Sequence, residues 1–93
     1  MAQRFQWHPP KAASNLKWHK VSFAEAATVF DDPLHEVFPD PDHSAFEDHL
    51  IALGTSSKGR LLFVSFVERG DMIRLISARK ATRQELHDYE EED

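Results

Sequence analysis

Two arginines and one histidine are the side chains of this sequence best suited to acid–base and anion chemistry. His19 is a candidate proton carrier, because histidine titrates near neutral pH. Arg60 and Arg79 are candidates for holding an anion, because a guanidinium stays charged and its planar fork matches two phosphate or carboxylate oxygens. The three residues therefore predict a site that stabilises negative charge and moves a proton.

Each candidate also has a purely structural alternative. Arg79 could form an ion pair with Glu85, and His19 could be a helix C-terminal residue stabilised by the helix dipole. The chain has no cysteine, so a disulfide and a thiolate metal site are excluded. Zinc ligation by His43 and His49 with nearby acids remains an alternative, but these residues lack a recognised ligand spacing.

Charge alternates in blocks along the chain, although the net charge is −5. Residues 1–20 carry +4, residues 25–48 carry −8, residues 58–83 carry +5 and residues 84–93 carry −6. A basic block can attract a polyanion locally, because charges are screened over about 8–10 Å. Alternatively, the basic and acidic blocks pair with each other across the fold.

The chain length predicts one domain over residues 1–93, since 93 residues leave no room for two cores. Hydrophobic residues make up 41% of the sequence, which is enough for one core. The sequence contains no apolar run of about 20 residues and no apolar signal-peptide segment, so we expect a cytoplasmic protein that does not enter a membrane.

Helices are predicted on both sides of a group of strands. A short strand at residues 4–7 precedes a helix that begins at the prolines after His8, with Ala12, Ala13 and Leu16 on its buried face and Lys17 and Lys20 facing outward. A capping box at Ser22 and Glu25 predicts the start of a second helix, which ends at Asp31-Asp32-Pro33. A second capping box, at Thr82 and Glu85, begins the last helix, and residues 90–93 are expected to fray.

Four further strands are predicted between the helices, at residues 36–38, 49–53, 60–67 and 72–79, with a loop at 39–44 and a hairpin connection at 54–59. The near-continuous apolar run at 60–67 suits a central strand that is covered on both faces. The resulting prediction is an α+β fold, with an antiparallel β-sheet, two N-terminal helices and one C-terminal helix.

The predicted strands also place the candidate arginines. Arg74 and Arg79 have opposite parity in the last strand and should face opposite sides of the sheet unless a bulge intervenes. With a turn near Gly70, Arg60 should lie roughly opposite Arg79, and the two cations would form an anion site at one sheet edge. Arg74 could instead pair with an acidic residue on the sheet.

An ordered set of short motifs along nearly the whole chain resembles the BrnT family of toxins. The motifs are Phe5-x-Trp7, Asn15-Leu16-Lys17-Trp18-His19, Val21-Ser22-Phe23-Ala24-Glu25-Ala26, Asp31-Asp32-Pro33, Gly59-Arg60-Leu61-Leu62, and Arg74-Leu75-Ile76-Ser77-Ala78-Arg79-Lys80-Ala81-Thr82 with Glu85 and Tyr89. The resemblance implies a small domain like that of the RelE/ParE toxins, RNA cleavage without metal or cofactor, inhibition of translation, and neutralisation by a BrnA-like antitoxin. Operator DNA would be bound only through that antitoxin.

With this resemblance, the expected catalytic residues are His19, Arg60 and Arg79. The expected RNA-binding residues are Lys17, Lys20, Arg74, Lys80 and Tyr89. Tyr89 could instead be a half-buried anchor of the last helix.

This chain departs from the family at two places. It has His8 where the family usually has an acid, and Trp18-His19-Lys20 where the family commonly reads Lys-His-Gly. Three functions therefore stay open: an active ribonuclease toxin, a toxin-like module that has lost catalysis and binds its antitoxin, and a structural partner in a hetero-oligomer that binds no nucleic acid.

Overall fold

The computed structural model describes residues 3–41 and 48–92, which form a five-stranded sheet and three helices. The elements in chain order are β1 (Arg4–Gln6), α1 (Pro9–His19), α2 (Phe23–Ala27) continued by a 3₁₀ turn (Thr28–Asp31), β2 (Glu36–Pro39), β3 (Leu50–Thr55), β4 (Leu61–Arg69), β5 (Met72–Lys80) and α3 (Arg83–Glu91). The predicted α+β class is confirmed.

The sheet has the strand order β1-β5-β4-β3-β2. The pairs from β2 to β5 are antiparallel, but β1 runs parallel to β5, so the prediction of an antiparallel sheet is wrong at this edge. A parallel neighbour needs a long connection, and the segment between β1 and β5 contains both N-terminal helices and three strands.

Glycines allow the two tight connections that the sequence predicted. Gly59 and Gly70 have φ angles of 77° and 64°, in the left-handed region that favours glycine, and they lie in the β3–β4 and β4–β5 turns.

The predicted loop at 39–44 lies partly outside the described residues, as does His43 of the zinc alternative. Helix α3 continues through Glu91, and the expected fraying at 90–93 stays a prediction.

The hydrophobic core lies between one face of the sheet and the segment formed by α2 and the 3₁₀ turn. β4 is the middle strand, as predicted, and Leu62, Val64 and Phe66 point into this core. The other core residues are Val21, Phe23, Ala26, Val29, Ala52, Ile73, Leu75 and Ala78. A bulge follows the Ser65–Ser77 pair, where β5 contributes one extra residue, Ile76.

Helix α1 packs through an asparagine rather than through the predicted leucine. Leu16 is 51% exposed, whereas Asn15 is buried. The Asn15 amide nitrogen donates to the carbonyls of Ala78 and Val21, both at 2.9 Å, and its oxygen accepts from the Ala78 N–H at 3.0 Å. β1 pairs only with residues 72–74, so the edge of β5 at Ala78 needs hydrogen bonds. An amide side chain can supply these bonds and a leucine cannot.

Only one of the two predicted capping boxes is complete. At α3, Thr82 and Glu85 cap each other reciprocally, as expected. At α2, the Ser22 hydroxyl accepts from the Glu25 N–H at 3.0 Å, but the Glu25 carboxylate turns away to bind Arg60 and Ser56. The sequence pattern therefore identified the helix start correctly and the role of Glu25 incorrectly.

Lys20 ends α1 in a left-handed conformation, with φ 59° and ψ 31°. Its N–H donates to the Leu16 carbonyl at 3.0 Å. Helices commonly end with such a hydrogen bond from a residue in the left-handed conformation, and that residue is usually glycine. Lys20 thus stands where the resembled family commonly has glycine, and its Cβ makes this conformation unfavourable.

Replacing Lys20 with glycine is expected to raise the free energy of unfolding by about 0.5–1 kcal/mol, because relief of the left-handed strain outweighs the added freedom of the unfolded chain. Urea denaturation measures this change. Lys20→Ala is the matched control, since it removes the same charge and keeps a Cβ. Equal stability of the glycine and alanine variants would contradict the argument.

Candidate active site

A cleft of about 610 Å³ lies on the face of the sheet opposite the core. Phe63 and Ser65 of β4 and Ser77 of β5 form its floor, because they alternate with core residues along the strands. Its remaining lining residues are Lys11, His19, Phe38, Asp40, Pro41, His49, Ile51, Ile76, Ala78 and Arg79. The cleft therefore combines an aromatic floor with several ionisable side chains.

Arg79 is held over the cleft floor by Phe63, by Glu85 and by the Lys80 carbonyl, which accepts from a terminal nitrogen of Arg79 at 3.2 Å. The strand register places it opposite Phe63, and its guanidinium carbon lies 4.4 Å from the centre of the Phe63 ring. Its two terminal nitrogens donate to the two oxygens of Glu85, at 2.8 and 3.0 Å. The ion pair between Arg79 and Glu85, which the sequence offered as a structural alternative, is thus present. The Arg79 side chain is nevertheless 43% exposed.

The Arg79–Glu85 pair remains ionised over a wide pH range. The Arg79 hydrogen bonds lower the pKa of Glu85 from 4.5 to about 2, with help from the Thr82 N–H that donates to the same carboxylate at 2.8 Å. The same hydrogen bonds raise the pKa of Arg79. At neutral pH the cleft therefore contains a permanent cation whose partner is also permanently charged.

The lowered pKa of Glu85 predicts an acid-dependent loss of stability. A carboxyl whose pKa is lower in the folded state stabilises the fold above its unfolded pKa, and this contribution is lost as the pH falls through the folded pKa. We expect the free energy of unfolding to fall between about pH 4.5 and pH 2, and to fall less in Glu85→Gln. Urea titrations across this range measure both slopes. If the free energy of unfolding fell equally with pH in the wild type and in Glu85→Gln, the loss of stability could not be assigned to Glu85.

Helix α1 brings His19 and Lys11 to the same cleft. Lys11, Asn15 and His19 are spaced four residues apart and share one side of the helix. Because Asn15 is fixed to Ala78 of β5, the two flanking side chains lie along the cleft. His19 therefore lines the same cavity as Arg79, the residue with which the sequence analysis grouped it.

The predicted pairing of Arg60 with Arg79 is wrong. Arg79 faces Phe63, and Arg60 precedes β4 and points toward Glu25. The Arg60 Nε donates to Glu25 at 2.9 Å, and one terminal nitrogen binds both the other Glu25 oxygen and the Lys20 carbonyl, the latter at 3.0 Å. Ser56 donates to the same carboxylate at 2.7 Å. Arg60 thus connects α2, the end of α1 and the β3–β4 turn, and it does not line the cleft.

Arg74 lies on the same face of the sheet as Arg79. Arg74 pairs with Val67 and Arg79 with Phe63, two residues that share a face of β4. The bulge at Ile76 reverses the parity, which is the exception that the sequence analysis allowed, so the two arginines do not face opposite sides of the sheet. The Arg74 guanidinium donates to the Gln6 side-chain oxygen at 3.2 Å. Its partner is thus an amide and not the acidic residue that the sequence offered as an alternative.

The other predicted RNA-binding residues occupy different places. Lys17 lies beside Trp18, with its ammonium 5.3 Å from the ring centre, and Lys20 ends α1. Lys80 pairs with Leu62, so it faces the opposite side of the sheet from Arg79. Tyr89 is half-buried on α3 and does not line the cleft.

Sequence reasoning missed Lys11, Asp40 and His49 as cleft residues. A backbone bond of 3.0 Å from the Asp40 N–H to the His49 carbonyl extends the β2–β3 pairing and brings both side chains to the cleft wall. Their distant sequence positions gave no signal. The buried Asn15 did have one, since asparagine is unfavourable inside a helix unless its side chain has a specific role.

Within residues 3–41 and 48–92, no group of three or more histidine, aspartate or glutamate side chains is arranged to hold a metal ion. In the same part of the chain, no helix is long and apolar enough to cross a membrane.

The fold and the cleft define a small α+β protein whose open sheet face carries a carboxylate-paired arginine and a histidine over an aromatic floor. The crystal structure of the Brucella abortus ribonuclease toxin BrnT has a similar fold, with a TM-score of 0.70 and 25% sequence identity over 88% of this chain and 100% of that chain. A comparison with curated proteins found no match.

A family model described as the ribonuclease toxin BrnT of type II toxin–antitoxin systems matches residues 7–85. The chain therefore belongs to the BrnT family of ribonuclease toxins, and membership of a type II system implies an antitoxin protein as its partner.

Proposed function

We propose that this chain is a metal-independent endoribonuclease toxin that cleaves cytoplasmic RNA, inhibits translation and is neutralised by a BrnA-like antitoxin. The observation that carries the proposal is the placement of His19 and Arg79 in one cleft of a BrnT-family protein. Operator DNA would be bound through the antitoxin. Family membership supports the ribonuclease class, and the cleft supports the chemistry that follows.

The proposed reaction is attack of a ribose 2′-oxygen on the adjacent phosphorus. The new O2′–P bond forms as the P–O5′ bond breaks, and the products are a 2′,3′-cyclic phosphate and a 5′-hydroxyl. One proton leaves the 2′-hydroxyl and another is delivered to the departing 5′-oxygen. His19 is the proposed proton carrier, because an imidazole can accept or donate a proton near neutral pH.

Arg79 is the proposed stabiliser of the negative charge that develops on the phosphorane oxygens. Its position over Phe63 and its bidentate bond to Glu85 fix the guanidinium before substrate arrives, and preorganised donors are the most effective. Lys11, on the same wall of the cleft as His19, adds a cation for a neighbouring phosphate. Such organic cations can supply the charge that a metal ion supplies in other nucleases.

The predicted RNA-binding residues divide according to their position. Lys17 lies over Trp18 on α1, the helix that carries His19, and Arg74 shares the sheet face of the cleft, so both are proposed contacts of flanking phosphates. Lys20, Lys80 and Tyr89 remain predictions. Arg60 is left out of the proposed catalytic set, because its guanidinium binds Glu25 and it does not line the cleft that contains Arg79 and His19.

An inactive, antitoxin-binding module is the second candidate, and Trp18 favours it, since the family commonly has lysine at that position. One experiment distinguishes the two. The chain is purified free of antitoxin and incubated with cellular RNA in EDTA, beside identically prepared His19→Ala and Arg79→Ala variants. We expect cleavage that leaves 2′,3′-cyclic phosphate ends and is lost in both variants. Intact RNA after incubation with folded wild-type protein would contradict the proposal that the chain is an enzyme.

A further inference from the structure

Trp18 is exposed to an unusual degree for a tryptophan. It lies in the last turn of α1, directly before His19, and it is 72% exposed. Tryptophan is normally well buried, because its large apolar surface gains from removal from water. An exposed indole next to a proposed catalytic residue therefore indicates a contact with a ligand.

A second depression of about 200 Å³ adjoins the cleft at Trp18. Lys11, His19, Ile76 and Ser77 line both cavities, so the two lie side by side. Ser14, Asn15 and Trp18 complete the second one. It is large enough for one planar ring, and the hydroxyls of Ser14 and Ser77 can bond the polar edge of that ring.

The charges around Trp18 fit a nucleic acid better than an apolar peptide segment. The Lys17 ammonium lies 5.3 Å from the Trp18 ring centre, Lys11 lines the depression, and α1 contains no acidic residue. Proteins that bind single-stranded RNA combine cations for the phosphates with aromatic rings on which bases stack. An apolar segment would leave the lysines and serines of this site without suitable partners.

From this arrangement we infer that Trp18 stacks an unpaired nucleobase of the RNA next to the phosphate that is held between His19 and Arg79. The inference rests on the proposed ribonuclease function and adds a requirement for a single-stranded, unstacked base beside the cleavage site. Trp18 then acts in binding, because the stack forms equally in the bound substrate and in the transition state.

Fluorescence of Trp18 tests the stacking directly. Trp7→Phe provides the background, since Trp7, which packs edge-on against Phe23, is the other tryptophan. The probe is a short single-stranded RNA of randomised sequence with 2′-fluorine on every ribose, which cannot be cleaved. We expect the probe to quench Trp18 emission, and Trp18→Ala to weaken binding of the probe roughly ten-fold or more.

Steady-state cleavage of the unmodified RNA separates stacking from a structural effect. Trp18→Ala should raise KM by about the same factor and leave kcat unchanged, and Trp18→Phe should restore most of the binding. Leu16→Ala is the matched control, because Leu16 is an exposed apolar residue of the same helix that lines neither cavity. It should behave as the wild type does.

The outcomes distinguish this inference from the function on which it rests. Cleavage with an unchanged KM in Trp18→Ala would overturn the stacking and leave the ribonuclease proposal standing. Quenching by the probe without any cleavage of RNA would overturn the ribonuclease proposal and support the stacking. Quenching by the purified antitoxin alone, with none by RNA, would overturn the stacking and assign Trp18 to the protein interface.

Discussion

Replacing Arg79 with alanine is expected to lower kcat for RNA cleavage by about 100- to 1,000-fold, the usual effect of removing one preorganised donor from a developing oxyanion. The guanidinium is stacked on Phe63 at 4.4 Å and is fixed by Glu85, so it occupies its position before the substrate binds. Initial rates on an RNA reporter, with circular dichroism to verify folding, measure the effect.

Two controls separate the chemical role of Arg79 from its structural role. Arg79→Lys keeps a positive charge and loses the planar fork, so it should recover only part of the activity. Glu85→Gln removes the ionised partner and keeps the guanidinium over Phe63, so it should lose far less activity than Arg79→Ala. Equal losses in Glu85→Gln and Arg79→Ala would show that the anchoring of α3, rather than charge stabilisation, is what the cleavage reaction needs.

Replacing Arg60 with methionine is expected to lower the free energy of unfolding by about 3–5 kcal/mol, because it leaves a buried carboxylate without its cation. The Glu25 side chain is only 2% exposed, and hydrogen bonds from Arg60 are the main cause of its lowered pKa. Natural domains have total stabilities of about 5–15 kcal/mol, so a loss of this size is severe. Urea denaturation at neutral pH provides the measurement.

The double variant Glu25→Gln with Arg60→Met removes both charges and should regain much of this loss, since no ion is then left buried. A change below about 1 kcal/mol in Arg60→Met would contradict the structural role of the pair. The double variant also tests the catalytic role that the sequence suggested for Arg60. If that role were real, the folded double variant would be inactive, whereas the structure leads us to expect cleavage.

The order and kind of the elements could be predicted because their signals are local. The apolar run of β4, the prolines that begin α1 and the Thr82–Glu85 capping box each depend on residues within a few positions of one another. The parallel pairing of β1 with β5 has no such signal, because it joins strands 68 residues apart, as in the Phe5–Ile73 pair. Local patterns thus predicted the strands, but they did not predict which strand pairs with β1 or in which direction.

The candidate site was only partly predictable, for reasons that particular residues show. Arg79 and Glu85 were recognisable as a pair because six residues separate them. Arg60 was misplaced because its partner, Glu25, lies 35 residues away and was interpreted as a helix cap. The faces of Arg74 and Arg79 depended on one extra residue, Ile76, and a bulge of this kind is not visible in the alternation of the strand.

The amide of Asn15 has a consequence for the behaviour of the protein at high concentration. Beyond residue 74, β5 has no β1 partner, and exposed strand edges are sites where molecules join through intermolecular hydrogen bonds. The Asn15 side-chain amide forms hydrogen bonds with both the N–H and the carbonyl of Ala78, as the backbone of a neighbouring strand would. Another molecule therefore finds no free pair of hydrogen-bonding groups at Ala78. The side chain that positions His19 also opposes aggregation by strand addition at this edge.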